Sequence, residues 1–501
     1  MERISPEELH LRNAHEIPVR IFANEQVRVE KAAVDELTAL LELQETVARI
    51  QEADPEFFGG VDARVVEVAV TPDFHKGAGI PIGTVLKTRG FTTPQAIGRD
   101  VNCGMRLMRT DWTVEEIERH LPRLEQRIRH VFFEGGREIP LHPVQREALL
   151  RDGLSGLAET AGKIGEQGIW RHWRKDEQWR ALDHVSESGN FPTDGISEGL
   201  ANYTAADEVR YDAQIGSIGG GNHFVEVQRI SKVLDAGTAY AWGLREGAVV
   251  VMIHTGSVSI GYPASGWAQT YLRSIYPKGI ALPENGILPL PVHGKYAAAF
   301  AAVQQAIGNA ANFAYGNRLF LSMMLRRVAE EVLGDRSFEL LWDSGHNLVW
   351  RDGDDFIHRK GATPARGASA MAGTPFEWTG EPVLIPGSMG AASYILRGMG
   401  DPRSMSSASH GAGRAMSRGQ AMKATEAEFK RFMEQFRIVT PIDPKSPQLR
   451  GRADILRKWE EAIKQEAPWA FKEIAPVIDT QTAAGLVGAV VELQPIFTIK
   501  G

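Results

Sequence analysis

The chain has 501 residues, 43% of them hydrophobic and 24% charged, which is enough apolar mass for a large folded core. Its formal net charge of −7 argues against a generally basic nucleic-acid binder, so a polyanionic substrate would need a local cationic patch. A single cysteine, Cys103, leaves no intramolecular disulfide and fits a reducing compartment.

The first segment, Met1 to Phe22, is studded with Glu, Arg and His and does not read as a secretory leader. Residues 24–52 carry helical apolar spacing through Val34, Leu37, Leu40, Leu41, Val47 and Ile50. Residues 65–70 read as a strand, and a Gly/Pro-rich segment, 77–104, follows. The stretches 113–130 and 145–180 are charged with helical spacing, and 181–215 reads as loop. Short β-rich runs follow at 223–228 and 247–253, then a helix over 296–334, strands at 338–342 and 382–385, and helices at 424–436 and 452–464. The Ala-rich stretch 297–316 is interrupted by Gln304, Gln305, Asn309 and Asn312, so it predicts a helix packed in protein, not lipid. No membrane partner is expected, and the predicted location is cytoplasmic. Strands scattered among helices of uneven length predict an α+β fold, a mixed α/β arrangement of several sheets flanked by helices.

Several apolar strands run directly into loops rich in Gly and polar residues. The run 65–70 leads to Asp73 and His75, 247–253 to His254, 338–342 to His346 and Asn347, and 382–385 to Pro386-Gly387-Ser388-Met389. A strand that delivers a polar group on a Gly loop is a common way to build a site, and the Pro386–Met389 turn offers backbone N–H groups to a phosphate. Asp100, Cys103, His223, His254 and His346 form a candidate ligand set for one or two divalent ions. Taken singly, each also reads as a buried thiol, a capping carboxylate or a core histidine. Chemistry alone favours zinc for a thiolate–imidazole set. In Ser409-His410-Gly411-Ala412-Gly413-Arg414, with Arg418 following, a histidine sits among small residues. The two arginines have the spacing of one helix face. Such a histidine can be a nucleophile toward phosphorus with the arginines neutralising charge, or simply part of a solvated helix start.

The residues that carry this chemistry resemble the RtcB family. The matching segments are 72–83 (Pro-Asp-Phe-His-Lys-Gly-Ala-Gly-Ile-Pro-Ile-Gly), 100–106 (Asp-Val-Asn-Cys-Gly-Met-Arg), 220–226 (Gly-Gly-Asn-His-Phe-Val-Glu) and 254–257 (His-Thr-Gly-Ser). They continue with 311–318 (Ala-Asn-Phe-Ala-Tyr-Gly-Asn-Arg), His346-Asn347, 359–363 (Arg-Lys-Gly-Ala-Thr), 384–394 (Leu-Ile-Pro-Gly-Ser-Met-Gly-Ala-Ala-Ser-Tyr), 409–414 and Lys500-Gly501. They keep the family's order from residue 72 to the last residue. The length alone suggests about three domains at roughly 150 residues each. The resemblance implies instead one catalytic domain over 1–501, with a poorly matching helical and loop insertion at about 130–215.

The resemblance implies an RNA ligase that joins a 3′-phosphate or 2′,3′-cyclic phosphate end to a 5′-hydroxyl end, using GTP and two Mn²⁺ ions through a histidine–GMP intermediate. His410 would take GMP, and Asp73 would hold its far ring nitrogen. Cys103 would bridge the metals, with Asp100 and His223 completing one site and His254 and His346 the other. Glu226 and Lys500 would read the guanine edge. Asn222, His346, Asn347, Pro386, Gly387, Ser388, Met389, Ser393, Gly411, Ala412, Gly413 and Phe471 would surround the guanylate. Arg414, Arg418 and Lys360 would contact RNA phosphates. The family usually has Arg where this chain has Val258, and Tyr where it has Phe471, so RNA specificity is the part in question. A metal-dependent cyclic phosphodiesterase, or an RNA-binding relative without ligation, are the rival readings; the joint presence of His410, Glu226, Lys500 and the metal ligands argues against both. The partners this resemblance implies are an RNA with broken or spliced ends and an activating protein.

Overall fold

The computed structural model describes residues 1–205 and 207–501. Two large sheets and one long buried helix position the site. The first sheet has seven strands in the order Glu2–Ser5, Glu8–His10, Val19–Phe22, Arg64–His75, Ile82–Arg89, Asp355–Lys360 and Asn347–Asp352. The second runs Phe338–Gly345, Gly104–Thr110, Val249–Thr255, Phe224–Val233, Val487–Ile499, Ser393–Gly398 and Pro382–Ile385, with Ile438–Val439 added parallel to Val487–Ile499. Pairing is otherwise antiparallel in the second sheet, so this is the mixed architecture expected of scattered strands.

Most predicted elements form near the expected positions. The helical pattern at 24–52 becomes two helices, Lys31–Leu41 and Leu43–Ala53, and 113–130 becomes Val114–Phe133, opened by a Thr113/Glu116 capping box. The pattern at 145–180 holds only as Pro143–Thr160. Beyond it the chain breaks into short turns before Lys175–Ala181, where Gly165 and Gly168 take positive φ. Within the Gly/Pro-rich segment 77–104 lies the interior strand Ile82–Arg89, for which the sequence carried no expectation. The helices Val258–Ile275 and Ile474–Ala483 and the strand Val487–Ile499 carry no expectation above.

The long helix Ala297–Leu333 is buried over most of its length. Its asparagines bond to loop backbone. Asn309 accepts from Ser197 N–H (2.9 Å), Asn312 from Phe191 N–H (2.7 Å) and Asn317 from Ser217 N–H (2.9 Å). These bonds tie the irregular 181–217 region to the core and satisfy backbone groups that would otherwise be buried unpaired. On the same helix Arg318 reaches Asp343 (2.8 Å) and the carbonyls of Asn102 (2.7 Å) and Thr255 (3.1 Å), fixing the loops that carry the candidate metal ligands. Among the described residues no helix is long and apolar enough to cross a membrane.

Candidate active site

Four adjacent strands of the second sheet deliver their ligands at one edge. Phe338–Gly345 ends just before His346, Gly104–Thr110 begins just after Cys103, Val249–Thr255 contains His254, and Phe224–Val233 begins just after His223. Register pairs Gly345 with Gly104, Met105 with His254, and His254 with Phe224. Alternating strand direction therefore brings residues distant in sequence to one place. The next strand, Val487–Ile499, adds Lys500 at the same edge. His346 is also the single residue between the two sheets, since Asn347–Asp352 belongs to the first.

The donors form two overlapping groups, Asp100–Cys103–His223 and Cys103–His254–His346, each with ligand atoms within 4.8 Å of one another. Cys103 Sγ lies 3.3 Å from Nε2 of both His223 and His254, and His223 Nε2 lies 2.9 Å from Asp100 Oδ2. The Ile218 carbonyl sits 3.1 Å from His223 Nδ1, which places the ring proton there and turns the Nε2 lone pair toward the thiol and carboxylate. Burial pulls His254 and His346 well below the usual histidine range, so both are neutral and able to donate a lone pair. Burial and the adjacent Asp100 carboxylate push the Cys103 thiol well above its usual range. A bound cation would reverse that shift. His346 Nδ1 is buried with no hydrogen-bond partner. Borderline-soft divalent ions fit this donor set.

His410 stands beside these groups, its ring centroid 4.7 Å from that of His346 and 6.5 Å from that of His254. Its Nδ1 is 2.6 Å from Asp73 Oδ2, and its backbone N–H donates to the same oxygen at 3.3 Å. Asp73 is wholly buried. Burial works to raise its carboxyl, but hydrogen bonding and charge attraction from His410, with the Thr71 hydroxyl at 2.6 Å, bring the net value below the ordinary one. An ionised carboxylate only accepts, so Nδ1 is the donating nitrogen, and in the neutral ring the free lone pair is on Nε2. Gly413, at φ +77°, lets the loop pass against Asp73: a Cβ there would meet the Asp73 carbonyl oxygen at 2.3 Å.

A cavity of about 270 Å³ opens at His410 and is lined by Asn222, His254, the Pro386–Met389 turn, Gly411, Ala412, Gly413, Arg414, Arg418, Phe471 and Lys500. Gly387 N–H already donates to Ser393 Oγ (3.1 Å), so that amide is engaged with the protein rather than open to a phosphate. Ser393 and Glu226 lie beneath the wall. Glu226 accepts from Gln228 (2.7 Å) and from the Thr498 hydroxyl, and burial raises its carboxyl to about 7 despite those bonds. Lys500 donates to the His223 carbonyl (3.0 Å) and to that of Gly221, and burial lowers it to about 8. Asn347 braces the Asp100–Cys103 loop, donating to the Asp100 carbonyl (3.2 Å) and accepting from Gly361 N–H (2.8 Å).

One cationic expectation changes. Arg414 and Arg418 do not share a helix face, because the helix begins only at Arg418. They are held together by Glu466, a buried carboxylate that accepts from Arg414 (3.0 Å) and Arg418 (3.1 Å), while Arg414 stacks over the Phe471 ring at 5.0 Å. Nothing in the sequence around Glu466 marks it. Lys360 does not line the His410 cavity. It faces a separate cleft and donates to the Ile80 carbonyl (2.8 Å). Arg106 and Arg318 are buried on Asp343, and Arg359 is buried against Ser407 and the Met405 carbonyl.

A protein-family model described as tRNA-splicing ligase RtcB matches residues 60–501. A Pyrobaculum aerophilum protein named tRNA-splicing ligase RtcB is 31% identical over 464 residues, covering 86% of this chain and 87% of that protein. A Thermococcus kodakarensis protein of the same name is 30% identical over 514 residues, covering 97% and 95%. A Mycobacterium tuberculosis protein named RNA-splicing ligase RtcB is 32% identical over 457 residues, covering 86% and 96%. Matched across most of its length and covering these relatives nearly end to end, the chain belongs to the RtcB family.

Proposed function

We propose that this chain is an RNA ligase joining 3′-phosphate or 2′,3′-cyclic phosphate ends to 5′-hydroxyl ends, with GTP as co-substrate, two Mn²⁺ ions as cofactor, and residues 1–501 acting as one catalytic unit. The observation that carries this is the position of His410. Its Nδ1–H is held by the Asp73 carboxylate, its other nitrogen is free, and its ring is beside two ligand groups that share one thiol. A phosphodiesterase using the metals alone would have no use for that Asp73–His410 pair.

Asp100, Cys103 and His223 would hold one ion, and Cys103, His254 and His346 the other. Together the ions would neutralise phosphate charge and polarise the phosphorus–oxygen bonds. His410 Nε2 attacks the α-phosphorus of GTP; the P–N bond forms, the bond to the β-phosphate oxygen breaks, and pyrophosphate leaves. Asp73 stabilises the imidazolium that results. An oxygen of the RNA 3′-phosphate then displaces His410 from that phosphorus. The 5′-hydroxyl oxygen attacks the activated 3′-phosphorus, loses its proton, and GMP departs. A cyclic phosphate is first opened by water. Glu226 accepts from the N1–H and amino group of guanine and Lys500 donates to its O6, an edge pattern that adenine reverses. Asn222, Ser388 and the Gly411–Gly413 loop close around the guanylate, and Arg414 and Arg418 take part of the phosphate charge.

The test is sealing of a 3′-phosphate RNA to a 5′-hydroxyl RNA by the purified protein with Mn²⁺. Joined product with GTP and not with ATP is expected. Cyclic-phosphate opening with no joined product under any nucleotide would favour the diesterase reading.

A further inference from the structure

A second cleft, of about 920 Å³, lies beside the His410 cavity and shares Ile82 with it. Among the described residues its charged lining is cationic only: Lys76, Arg99 and Lys360, with Gln95, Gln269 and Tyr262 as polar neighbours. That is notable in a chain of net charge −7, where a local patch was the only route to a polyanion. Lys76 and Arg99 are exposed, while Lys360 is buried with its ammonium on the Ile80 and Ala78 carbonyls. Tyr262 is 59% exposed and stands at the junction with a third cleft, of about 1180 Å³, which reaches Asp100 and His223. The Arg99 guanidinium lies 5.9 Å from the Tyr262 ring centroid. An exposed aromatic face beside a guanidinium, in a groove of cations, has the composition of a single-strand platform: charge follows the phosphates and the ring stacks a base.

We propose that this cleft binds the 3′-terminal nucleotides of a single-stranded RNA, with Lys76, Arg99 and Lys360 along the backbone phosphates and Tyr262 stacked on a base. The inference rests on the ligase reading for the identity of its ligand, but the binding event needs neither GTP nor chemistry. Continuity through Ile82 places the bound end beside the His410 cavity, and Tyr262 sits where that strand passes toward the metal ligands. The third cleft is of mixed charge, with Arg418, Lys458 and Lys500 beside Asp100 and Glu466, whereas the second carries one sign only.

The experiment is fluorescence anisotropy of a short 5′-labelled single-stranded RNA ending in a 3′-phosphate, with full-length Mn²⁺-loaded protein, without nucleotide, across a salt series. Tyr262→Ala should raise Kd by about 5- to 150-fold, the effect of losing one base–aromatic stack. Tyr262→Phe, which keeps the ring, should bind like wild type. Lys76→Ala and Arg99→Ala should each lower the magnitude of the log Kobs against log salt slope by about 0.7. Thermal unfolding of each variant checks that the fold is kept, and Lys76, remote from the metal loop in sequence, serves if Arg99→Ala disturbs it. Failure of GTP labelling would count against the ligase reading and leave these binding results standing. Unchanged Kd and unchanged salt slope in both Tyr262→Ala and the Lys76→Ala/Arg99→Ala double variant would overturn the inference and leave the cleft to a different occupant, such as an acidic polypeptide.

Discussion

Asp73 and His410 are 337 positions apart in sequence, yet Asp73 Oδ2 sits 2.6 Å from His410 Nδ1. This contact decides which ring nitrogen is free, and therefore whether the histidine can attack phosphorus. Asp73→Asn keeps the shape but can present an amide N–H to Nδ1, which favours the proton on Nε2. Transfer of GMP to the protein should slow by about 100- to 10,000-fold, the range for mispositioned acid–base groups. Single-turnover labelling against time measures it. A rate within a few-fold of wild type would show that tautomer control is not Asp73's role.

Cys103 belongs to both ligand groups, whereas Asp100 and His346 each belong to one. Cys103→Ala should therefore weaken both ions and Asp100→Asn only one. Metal content after equilibrium dialysis against Mn²⁺ reads this as near zero against about half of wild type. A full complement in Cys103→Ala would remove the bridging assignment. The thiol should also resist alkylation in the metal-loaded protein and react after chelation.

Burial holds the Glu226 carboxyl at about 7 in the folded chain, against an ordinary value of 4.5. The folded state keeps this proton where the unfolded state has released it. Its contribution to stability is thus fully present below about 4.5 and is lost as pH rises to about 7. Guanine capture runs the other way, because accepting N1–H requires the carboxylate. GTP affinity should rise as pH passes through about 7, and Glu226→Gln should flatten that limb. Calorimetric titrations at several pH values in wild type and Glu226→Gln settle it; an identical pH profile in both would detach the limb from Glu226.

Val258 begins its helix at φ +38°, an uncommon backbone for a β-branched residue, with its N–H donating to Asp100 Oδ1 at 3.2 Å. It lines the wide cleft beside Asp100 and brings no charge there. Arg106, Arg318 and Arg359 cannot substitute, since each is buried on its own partners. Val258→Arg should speed sealing of generic RNA ends by roughly ten- to a hundredfold, the equivalent of one charged contact at about 1.5–3 kcal/mol, with labelling by GTP unchanged. Equal sealing rates in variant and wild type would mean that no phosphate is held at this position.

The candidate ligands were legible because His254 and His346 end or follow an apolar strand while Asp100, Cys103 and His223 come just before one, all beside glycines, a pattern visible in local sequence. What groups them is strand order, and strand order is a long-range property. The strand Val487–Ile499, between Phe224–Val233 and Ser393–Gly398, explains the difficulty. It contains Gly488 and Pro495, which read as breakers, and the pairing tolerates Pro495 only through a register shift opposite Val227 and Gln228. The helix Ala297–Leu333 was readable from its Ala-rich run, but its asparagines looked like interruptions until their loop partners were in place. Glu466 had no signal at all, since a lone glutamate after a helix is ordinary. Only the convergence of Arg414 and Arg418 gives it meaning.

The proposed chemistry rests on His410. Incubation of the wild-type protein with α-labelled GTP and Mn²⁺ should leave label on the protein that is acid-labile and alkali-stable, as a phosphorus–nitrogen bond requires. Peptide mapping should place the label on His410, and His410→Ala should carry none. Label of undiminished yield on His410→Ala, or none on wild type that nonetheless seals RNA, would contradict it.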